Sequence, residues 1–201
     1  MMALVMSQPE PARIEEIDRA VLDRARASDP IAMRAFVVRY QRQVFALLSR
    51  VMGPGAHVEE AAQETFLRAF RALPAFDPTG PARVSTWLLT IATRLALDEK
   101  RRKRFPMVEI DAAALVPGGS TPESEHARRE LGAAIVRAAA ELSDDMRAAF
   151  VLADVHGFTM AEIAQALGIP ENTAKTRVHR ARLHMRERLA PMRREDTDER
   201  A

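Results

Sequence analysis

The sequence contains no cysteine, which excludes disulfide cross-links, thiol chemistry and zinc or iron–sulfur sites with cysteine ligands. Aromatic residues make up only 5% of the chain. No apolar run approaches the roughly 20 residues that a membrane-spanning helix needs. The N-terminal residues also lack the basic segment, apolar segment and small-residue cleavage site that together mark an export leader. We therefore expect a cytoplasmic protein without membrane insertion.

The apolar residues, 47% of a chain of 201, are sufficient for buried cores in one domain or two small ones. Their spacing predicts helices and almost no strands. Asp29-Pro30 combines an N-cap with a proline at the first helical position, and Gly53-Pro54-Gly55 ends the apolar repeat that follows. The other predicted helices begin near Val58, Ser85, Thr121-Pro122 and Ser143.

The segment Phe105–Ser120 interrupts this pattern with prolines and glycines, as a linker does. We therefore expect an all-α fold of two small helical domains joined by a flexible linker, the C-terminal one a helix-turn-helix. The predicted divisions are a first domain at 14–104, an acidic Pro/Gly linker at 105–120, a second domain at 121–190 and a polar tail at 191–201.

Although the net charge is only +2, the charged residues are segregated along the chain. Residues 94–104 carry six cations against two anions, and residues 175–188 carry six against one. Residues 105–127, between them, contain four carboxylates and neither lysine nor arginine. Arginine supplies 27 of the 30 basic side chains, and its planar fork suits phosphate and guanine. A GC-rich genome explains that content equally well, but the clustering indicates two contacts with polyanions.

The segment Phe158–Leu189 has the pattern of a helix-turn-helix. Thr159 and Glu162 form a capping box, and a tight turn at Gly168-Ile169-Pro170 precedes the next helix. That helix has a predicted buried stripe at Ala174, Val178, Ala181 and Met185. The other side of this helix suits contacts with base edges in a major groove and with phosphates. The candidate DNA-binding residues are Lys175, Thr176, Arg177, His179, Arg180 and Arg182. The alternative is a solvated basic helix packed on a bundle.

The first basic segment is a weaker signal, because a charged helix end before a linker is often only a solvated C-terminus. Phe76 and Trp87 lie close to it in sequence, and aromatic and basic groups together suit unpaired bases. For Trp87 a place in the core is the favoured alternative. We find no Ser/His/Asp set, carboxylate pair, phosphate-binding glycine loop or metal-ligand spacing, so we expect no enzymatic activity, metal or cofactor.

Three ordered blocks resemble a known family. They are Glu59–Phe70 (EEAAQETFLRAF), Ser85–Leu88 (STWL) with the Ile91-Ala92 and Leu95–Asp98 segments after it, and the helix-turn-helix through Arg180-Ala181-Arg182. In this order they resemble the extracytoplasmic-function (ECF) sigma factors of bacterial RNA polymerase, within the sigma-seventy superfamily. The resemblance covers about 18–104 and 125–189, and it implies that these are sigma regions two and four.

The resemblance also implies partners and site residues. The clamp of the largest subunit of core RNA polymerase is expected to contact Glu60, Gln63, Glu64, Phe66 and Arg68. The melted minus-ten promoter strand is expected to contact Phe76, Trp87, Thr90, Arg94, Lys100, Arg101 and Arg102. The basic helix of the helix-turn-helix is expected to read duplex promoter DNA at the minus-thirty-five element. The linker would pass near the RNA path, and an anti-sigma factor is the expected regulator.

Two features depart from the family pattern. The loop from Phe76 to Trp87 is about two residues longer than usual, and Arg94 stands where asparagine is usual. Our hypothesis is that Arg94 holds a phosphate or stacks on a base of the melted strand, and the alternative is an ion pair with Asp98. The second functional candidate is a helix-turn-helix regulator that is not a polymerase subunit. That class needs a receiver or ligand domain upstream, and the N-terminal half lacks the alternating strands of a receiver.

Overall fold

A computed structural model describes residues 14–102 and 122–198, and within these ranges the chain forms helices and no β-strand. The helices are α1 (Arg19–Arg26), α2 (Pro30–Met52), α3 (Ala56–Ala72), α4 (Val84–Arg102), α5 (Pro122–Ala140), α6 (Asp144–Phe150), α7 (Met160–Leu167) and α8 (Glu171–Asp198). A short 3-10 turn, Leu73–Ala75, follows α3, and a π-helical turn, Val151–Val155, continues α6. The expected all-α fold is confirmed.

Helix α2 begins and ends where the sequence predicts. The Asp29 carboxylate accepts hydrogen bonds from the amides of Ile31 and Ala32, and Pro30 occupies the first turn. Gly53 ends the helix with a φ of 86°, a left-handed value that favours glycine. These local signals set the length of the longest helix in the N-terminal half.

The N-terminal half packs α1, α3 and α4 around α2, which is central to its core. Phe36 and Tyr40 of α2 are fully buried, and their rings meet edge to face at a centroid distance of 4.9 Å. Phe66 and Phe70 of α3 pack on the same Phe36 ring. Two helices are therefore joined by an aromatic cluster near the start of α2.

The C-terminal half is built from α5, α6, α7 and α8. The capping box of α7 is present, with Thr159 and Glu162 each bonding the other's backbone amide. Gly168 ends α7 with a φ of 65°. The predicted stripe of α8 is buried, and Ala181 and Met185 pack on Ala138 and Leu142 from α5 and the turn after it. The helix-turn-helix expected from the sequence is thus confirmed.

The two halves pack against each other, which the sequence did not predict. Helix α4 contacts α6 and α7, and α2 contacts α6 and the π-helical turn. One apolar core continues from α2 and α4 into the C-terminal half. The predicted linker at 105–120 lies outside the described residues. Helix α8 continues to Asp198, so residues 191–198 of the predicted tail are helical.

Candidate nucleic-acid and polymerase surfaces

Helix α8 presents an exposed basic and polar face opposite its buried stripe. Lys175, Thr176, His179 and Arg180 are all exposed, whereas Ala174 and Ala181 are fully buried on the other side. Lys175 Nζ lies 2.8 Å from Glu171 Oε1 in the preceding turn. The second and third turns of this face combine hydrogen-bond donors and two cations on a rigid helix, an arrangement that suits base edges in a major groove.

Two predicted DNA contacts on α8 are held by carboxylates of the same half. Arg177 Nη2 lies 3.0 Å from Asp145 Oδ2 at the start of α6. Arg182 Nε donates to both carboxylate oxygens of Asp154, each at 3.1 Å. Both arginines must leave these partners, or share them, to meet a phosphate. Neither pair could be predicted from local sequence, because the carboxylates lie some thirty residues upstream.

Helix α3 carries the residues predicted to meet the polymerase. Glu60, Gln63 and Arg68 are exposed, and Glu64 is about half exposed beside them. Glu64 Oε1 lies 2.7 Å from Arg68 Nε, and this hydrogen bond lowers the pKa of the Glu64 carboxyl. The result is a polar face with an ordered ion pair.

Phe66 was expected on the same polymerase-binding face, and the structure corrects this. It is only 7% exposed and packs on Phe36 in the core. The apolar periodicity of α3 already put Phe66 on the buried stripe, so burial is the outcome that the helix geometry requires. Its role is to hold α3 on α2.

Phe76 and Trp87 form a ring pair, with a centroid distance of 5.0 Å. Phe76 is 7% exposed and belongs to the core, and Trp87 is half-buried against it. The core alternative for Trp87 is therefore supported. Phe76 cannot stack on a base without leaving this position, and its expected contact with the minus-ten strand stays a prediction.

A cleft of about 260 Å³ lies beside the loop between α3 and α4. Arg19, Arg83 and Glu16 contribute polar groups to it, and Phe76 lies at its apolar side. Asp77 orders the loop, because its carboxylate accepts from the amide and hydroxyl of Thr79, which lowers the Asp77 pKa. Arg19 ties α1 to the same loop through the carbonyl of Pro78, at 3.3 Å.

Glu16 is a site residue that sequence patterns do not reveal. Its carboxylate accepts from the Ser85 amide at 3.2 Å, from the Ser85 hydroxyl and from the Tyr40 hydroxyl at 3.0 Å, and it lies 3.2 Å from Arg83 Nη2. It thereby connects the segment before α1 to α2 and to the first turn of α4. Tyr40 and Ser85 lie 24 and 69 residues away along the chain, beyond any local motif.

The basic end of α4 faces the C-terminal half. Arg94 donates from Nε to the Ala166 carbonyl at 3.1 Å and from Nη2 to the Gln165 carbonyl at 2.7 Å. The alternative pair with Asp98 is not formed, since Asp98 lies 3.5 Å from Arg101 instead.

The other candidate residues of α4 are also engaged. The Thr90 hydroxyl donates to the Thr86 carbonyl at 2.8 Å, and Arg102 lies 3.9 Å from Glu99. Lys100 Nζ lies 2.8 Å from Asp144 Oδ1 and its side chain is 8% exposed. Among the described residues no cluster of His, Cys, Asp and Glu could hold a metal ion.

Two packed helical units, one of them a helix-turn-helix with an exposed basic face, define a DNA-binding transcription protein. The model of sigma-70 region 2 matches residues 36–105, and that of sigma-70, region 4 matches residues 132–185. The ECF RNA polymerase sigma-E factor of Escherichia coli is 32% identical over 185 residues, 87% of this chain and 95% of the relative. The ECF RNA polymerase sigma factor SigW of Bacillus subtilis is 31% identical over 179 residues, 84% and 94% of the two chains.

The chain therefore belongs to the ECF sigma factors, the subunits that bind core RNA polymerase and recognise promoters to initiate transcription. Solved structures agree in fold. CnrH in complex with the cytosolic domain of CnrY is 25% identical, with a TM-score of 0.60 over 87% of this chain and 97% of that one. The sigma factor RpoE of Bartonella quintana, solved with the anti-sigma factor NepR, is 22% identical with a TM-score of 0.61 over 78% and 96%.

Proposed function

We propose that the exposed face of α8 reads the minus-thirty-five element as duplex DNA. The observation that carries this assignment is the exposure of Lys175, Thr176, His179 and Arg180 on one side of a helix whose other side is buried. Arg180 is the proposed base-reading residue, because a guanidinium can bond guanine with two donors. Arg177 and Arg182 supply phosphate contacts after they exchange their carboxylate partners.

The minus-ten element is assigned to α4 and to the loop before it. The cleft beside the loop is large enough for a single nucleobase, and its arginines and Glu16 offer both donors and acceptors. Lys100, Arg101 and Arg102 would hold phosphates of the melted strand. The longer loop is then the element that selects the base.

The polymerase contact is assigned to the exposed polar face of α3, with Gln63 and Glu64 at its centre. The chain supplies promoter specificity and the polymerase supplies the chemistry, so we assign no catalysis to the chain.

The chain acts in the cytoplasm, where it meets the polymerase. No helix within the described ranges has the length and apolarity to cross a membrane.

A protein antagonist is the proposed regulator. CnrH, 25% identical to this chain, is solved in complex with the cytosolic domain of CnrY. An anti-sigma factor that covers the polymerase and DNA faces of this chain would keep it inactive. A soluble fragment of such a partner should compete with core polymerase for the chain.

Run-off transcription with core polymerase tests the polymerase contact. Glu64→Arg should abolish co-elution with core enzyme and lower transcription at least tenfold. The substitution puts a cation against a polymerase surface that is proposed to be complementary to a carboxylate. Glu130→Arg is the control, since Glu130 is an exposed carboxylate of α5 in the other half of the chain, away from α3. Equal co-elution of both variants would refute the assignment of α3.

Selection from randomised duplexes tests the DNA contact. Arg180→Ala should relax the preference at one base pair and cost about 1–3 kcal/mol there. Arg186→Ala, an exposed neighbour placed for phosphates, should weaken all sequences alike. Identical sequence preferences in the two variants and the wild type would show that Arg180 does not read bases.

A further inference from the structure

Arg83 lines the cleft beside the loop between α3 and α4, and part of its guanidinium is already in use. Its Nη2 donates to the carbonyl of Ile14 at 2.5 Å and lies 3.2 Å from Glu16 Oε1. Within the described ranges no other residue pairs with this guanidinium, and the side chain is 43% exposed. Arg83 is therefore anchored through one nitrogen, while Nε and Nη1 keep their hydrogens for a ligand.

Glu16, which anchors Arg83, is itself fixed by donors from two helices. Its carboxylate accepts from the Tyr40 hydroxyl of α2 at 3.0 Å and from the amide and hydroxyl of Ser85. Tyr40 is 1% exposed and Ser85 is 3% exposed, so these donors belong to the core. Ser85 also lies in the first turn of α4, where the helix dipole favours an anion. A ligand can bond Glu16 only by exchange with these donors, whereas the open donors of Arg83 are available at once.

The rest of the cleft suits the flat face of a nucleobase. Its volume is about 260 Å³, and its apolar lining includes Leu22, Phe76 and Val84. Every residue that lines it lies in the N-terminal half. A base that leaves its stack and enters such a cleft must find polar partners for the groups along its edge. The open donors of Arg83 are the first such partners.

A guanidinium carries donors and no acceptor, so it distinguishes bases by the acceptors that they present. Guanine has O6 and N7 as adjacent acceptors, and cytosine has O2 and N3. In adenine an amino group stands beside both N1 and N7, and in thymine N3–H separates the two oxygens. An amino group set against Arg83 would leave donors facing each other without acceptors, which is costly in a partly buried cleft. Arg83 therefore favours a base with two adjacent acceptors.

We propose that Arg83 selects the base that enters this cleft, that Glu16 is the positioning residue for Arg83, and that the selected base is guanine or cytosine. The proposal rests on the assignment of the cleft to a nucleobase of the minus-ten element. Neither residue lies in the sequence blocks that carry the family resemblance. Because Glu16 precedes α1, the segment before the first helix takes part in base selection.

Selection from single-stranded oligonucleotides of random sequence, with the full chain bound to core polymerase, tests the role of Arg83. The strands bound by the wild type should show one position at which guanine or cytosine predominates, and the predominant base shows which acceptor edge the cleft takes. Arg83→Ala should lower the preference at that position about fivefold or more, because a specific arginine–base contact supplies discrimination of at least that size. Arg34→Ala, at an exposed arginine of α2, removes the same charge outside the cleft and should leave the preference unchanged.

Glu16→Gln separates positioning from charge. It keeps the cation of Arg83 and removes the carboxylate that holds it, so the preference should fall as in Arg83→Ala. Added to Arg83→Ala, it should cause no further loss of preference, because both residues act through one contact. Tyr40→Phe is the structural control: it removes one buried donor to Glu16, and should lower stability without changing the preferred base. Additive losses in the double variant would overturn the positioning role.

Ala82→Trp distinguishes a failure of this proposal from a failure of the minus-ten assignment. Ala82 lines the cleft, and an indole at this position would fill it. If Ala82→Trp removes the preferred position while Arg83→Ala leaves it intact, the cleft holds a base that Arg83 does not select, and only the present proposal is overturned. If neither variant changes the base frequencies, the cleft holds no base and the assignment fails as well. Adenine or thymine at the position that Arg83→Ala alters also overturns the proposal.

Discussion

Arg147 offers the sharpest test of what holds the C-terminal half together. This arginine of α6 is only 3% exposed. It donates to the carbonyls of Ala139, Ala140 and Leu142 at 2.8–2.9 Å, and to that of Val51 in α2 at 3.2 Å. Ala139 and Ala140 lie in the last turn of α5 and Leu142 comes just after it, so a single side chain satisfies the end of one helix and reaches into the other half.

The perturbation is Arg147→Met, which keeps much of the length and removes every donor. Asp144, 3.3 Å from Arg147 Nη1, also loses a partner. Removing one partner of a buried charged network leaves unsatisfied acceptors, and such changes cost about 3–5 kcal/mol. We expect a loss of that size in the free energy of unfolding of the C-terminal half. Arg137→Met on exposed α5 surface is the control and should change stability by less than about 0.5 kcal/mol.

The chain carries its own reporter for the assay. Trp87 is the only tryptophan, so its fluorescence in urea follows the N-terminal half, while circular dichroism follows all helices. In Arg147→Met the dichroism should show an early transition that the fluorescence does not share. A loss below about 1 kcal/mol, with coincident transitions in both signals, would refute the role assigned to the network.

Two further predictions concern stability. Gly168→Ala should lower the free energy of unfolding by about 1–2 kcal/mol, which is the cost of a left-handed backbone conformation for alanine. Steric clash adds nothing, because a Cβ at this glycine meets no atom within 4 Å. The shift in the urea midpoint measures the loss. Burial, with the charge of Arg50 added, lowers the pKa of His156 to about 4. The neutral form is therefore favoured in the fold, and stability present above the unfolded pKa of about 6.5 is lost as pH falls toward 4. At pH 5 the free energy of unfolding should be about 2 kcal/mol lower than at pH 7. Urea titrations at the two pH values should show a smaller difference in His156→Gln.

Local signals predicted the parts of the fold that depend on neighbours in sequence. The Asp29 cap, the Gly53 end and the capping box of Thr159 and Glu162 all involve residues within four positions of one another. The stripe of α8 follows from helix periodicity in the same way. Phe66 shows what happens when two signals disagree: the family motif put it on a partner surface, the periodicity put it in the core, and the periodicity was right.

Long-range contacts were beyond these signals. An arginine on an amphipathic helix is expected at the surface, so nothing in the sequence marked Arg147 as buried. Arg94 meets carbonyls 71 and 72 residues away, and backbone carbonyls leave no trace in side-chain patterns. Most of the residues predicted to form surfaces on α3 and α8 are exposed and Phe66 is not, whereas the contacts of Arg94 and Lys100 with the other half were not predicted.

The pair of Arg182 and Asp154 leads to the last prediction. The carboxylate neutralises a cation on the side of α8 that we propose for DNA binding, with both oxygens 3.1 Å from Arg182 Nε. Asp154→Asn should release the guanidinium for phosphate. Binding to a generic duplex should then strengthen for all sequences alike, and the slope of log K against log salt should steepen by about 0.9, the value for one added phosphate contact.

Fluorescence anisotropy over a salt series measures this slope without knowledge of the promoter. Asp23→Asn in α1 is the control, because it changes the net charge by the same amount at a carboxylate that pairs with Arg19 and Arg26 and not with α8. If the two variants steepen the slope equally, total charge is responsible and Arg182 makes no new contact. If Asp154→Asn alone does so, the carboxylate at the end of the π-helical turn limits how tightly α8 holds DNA, because phosphate must compete with it for Arg182.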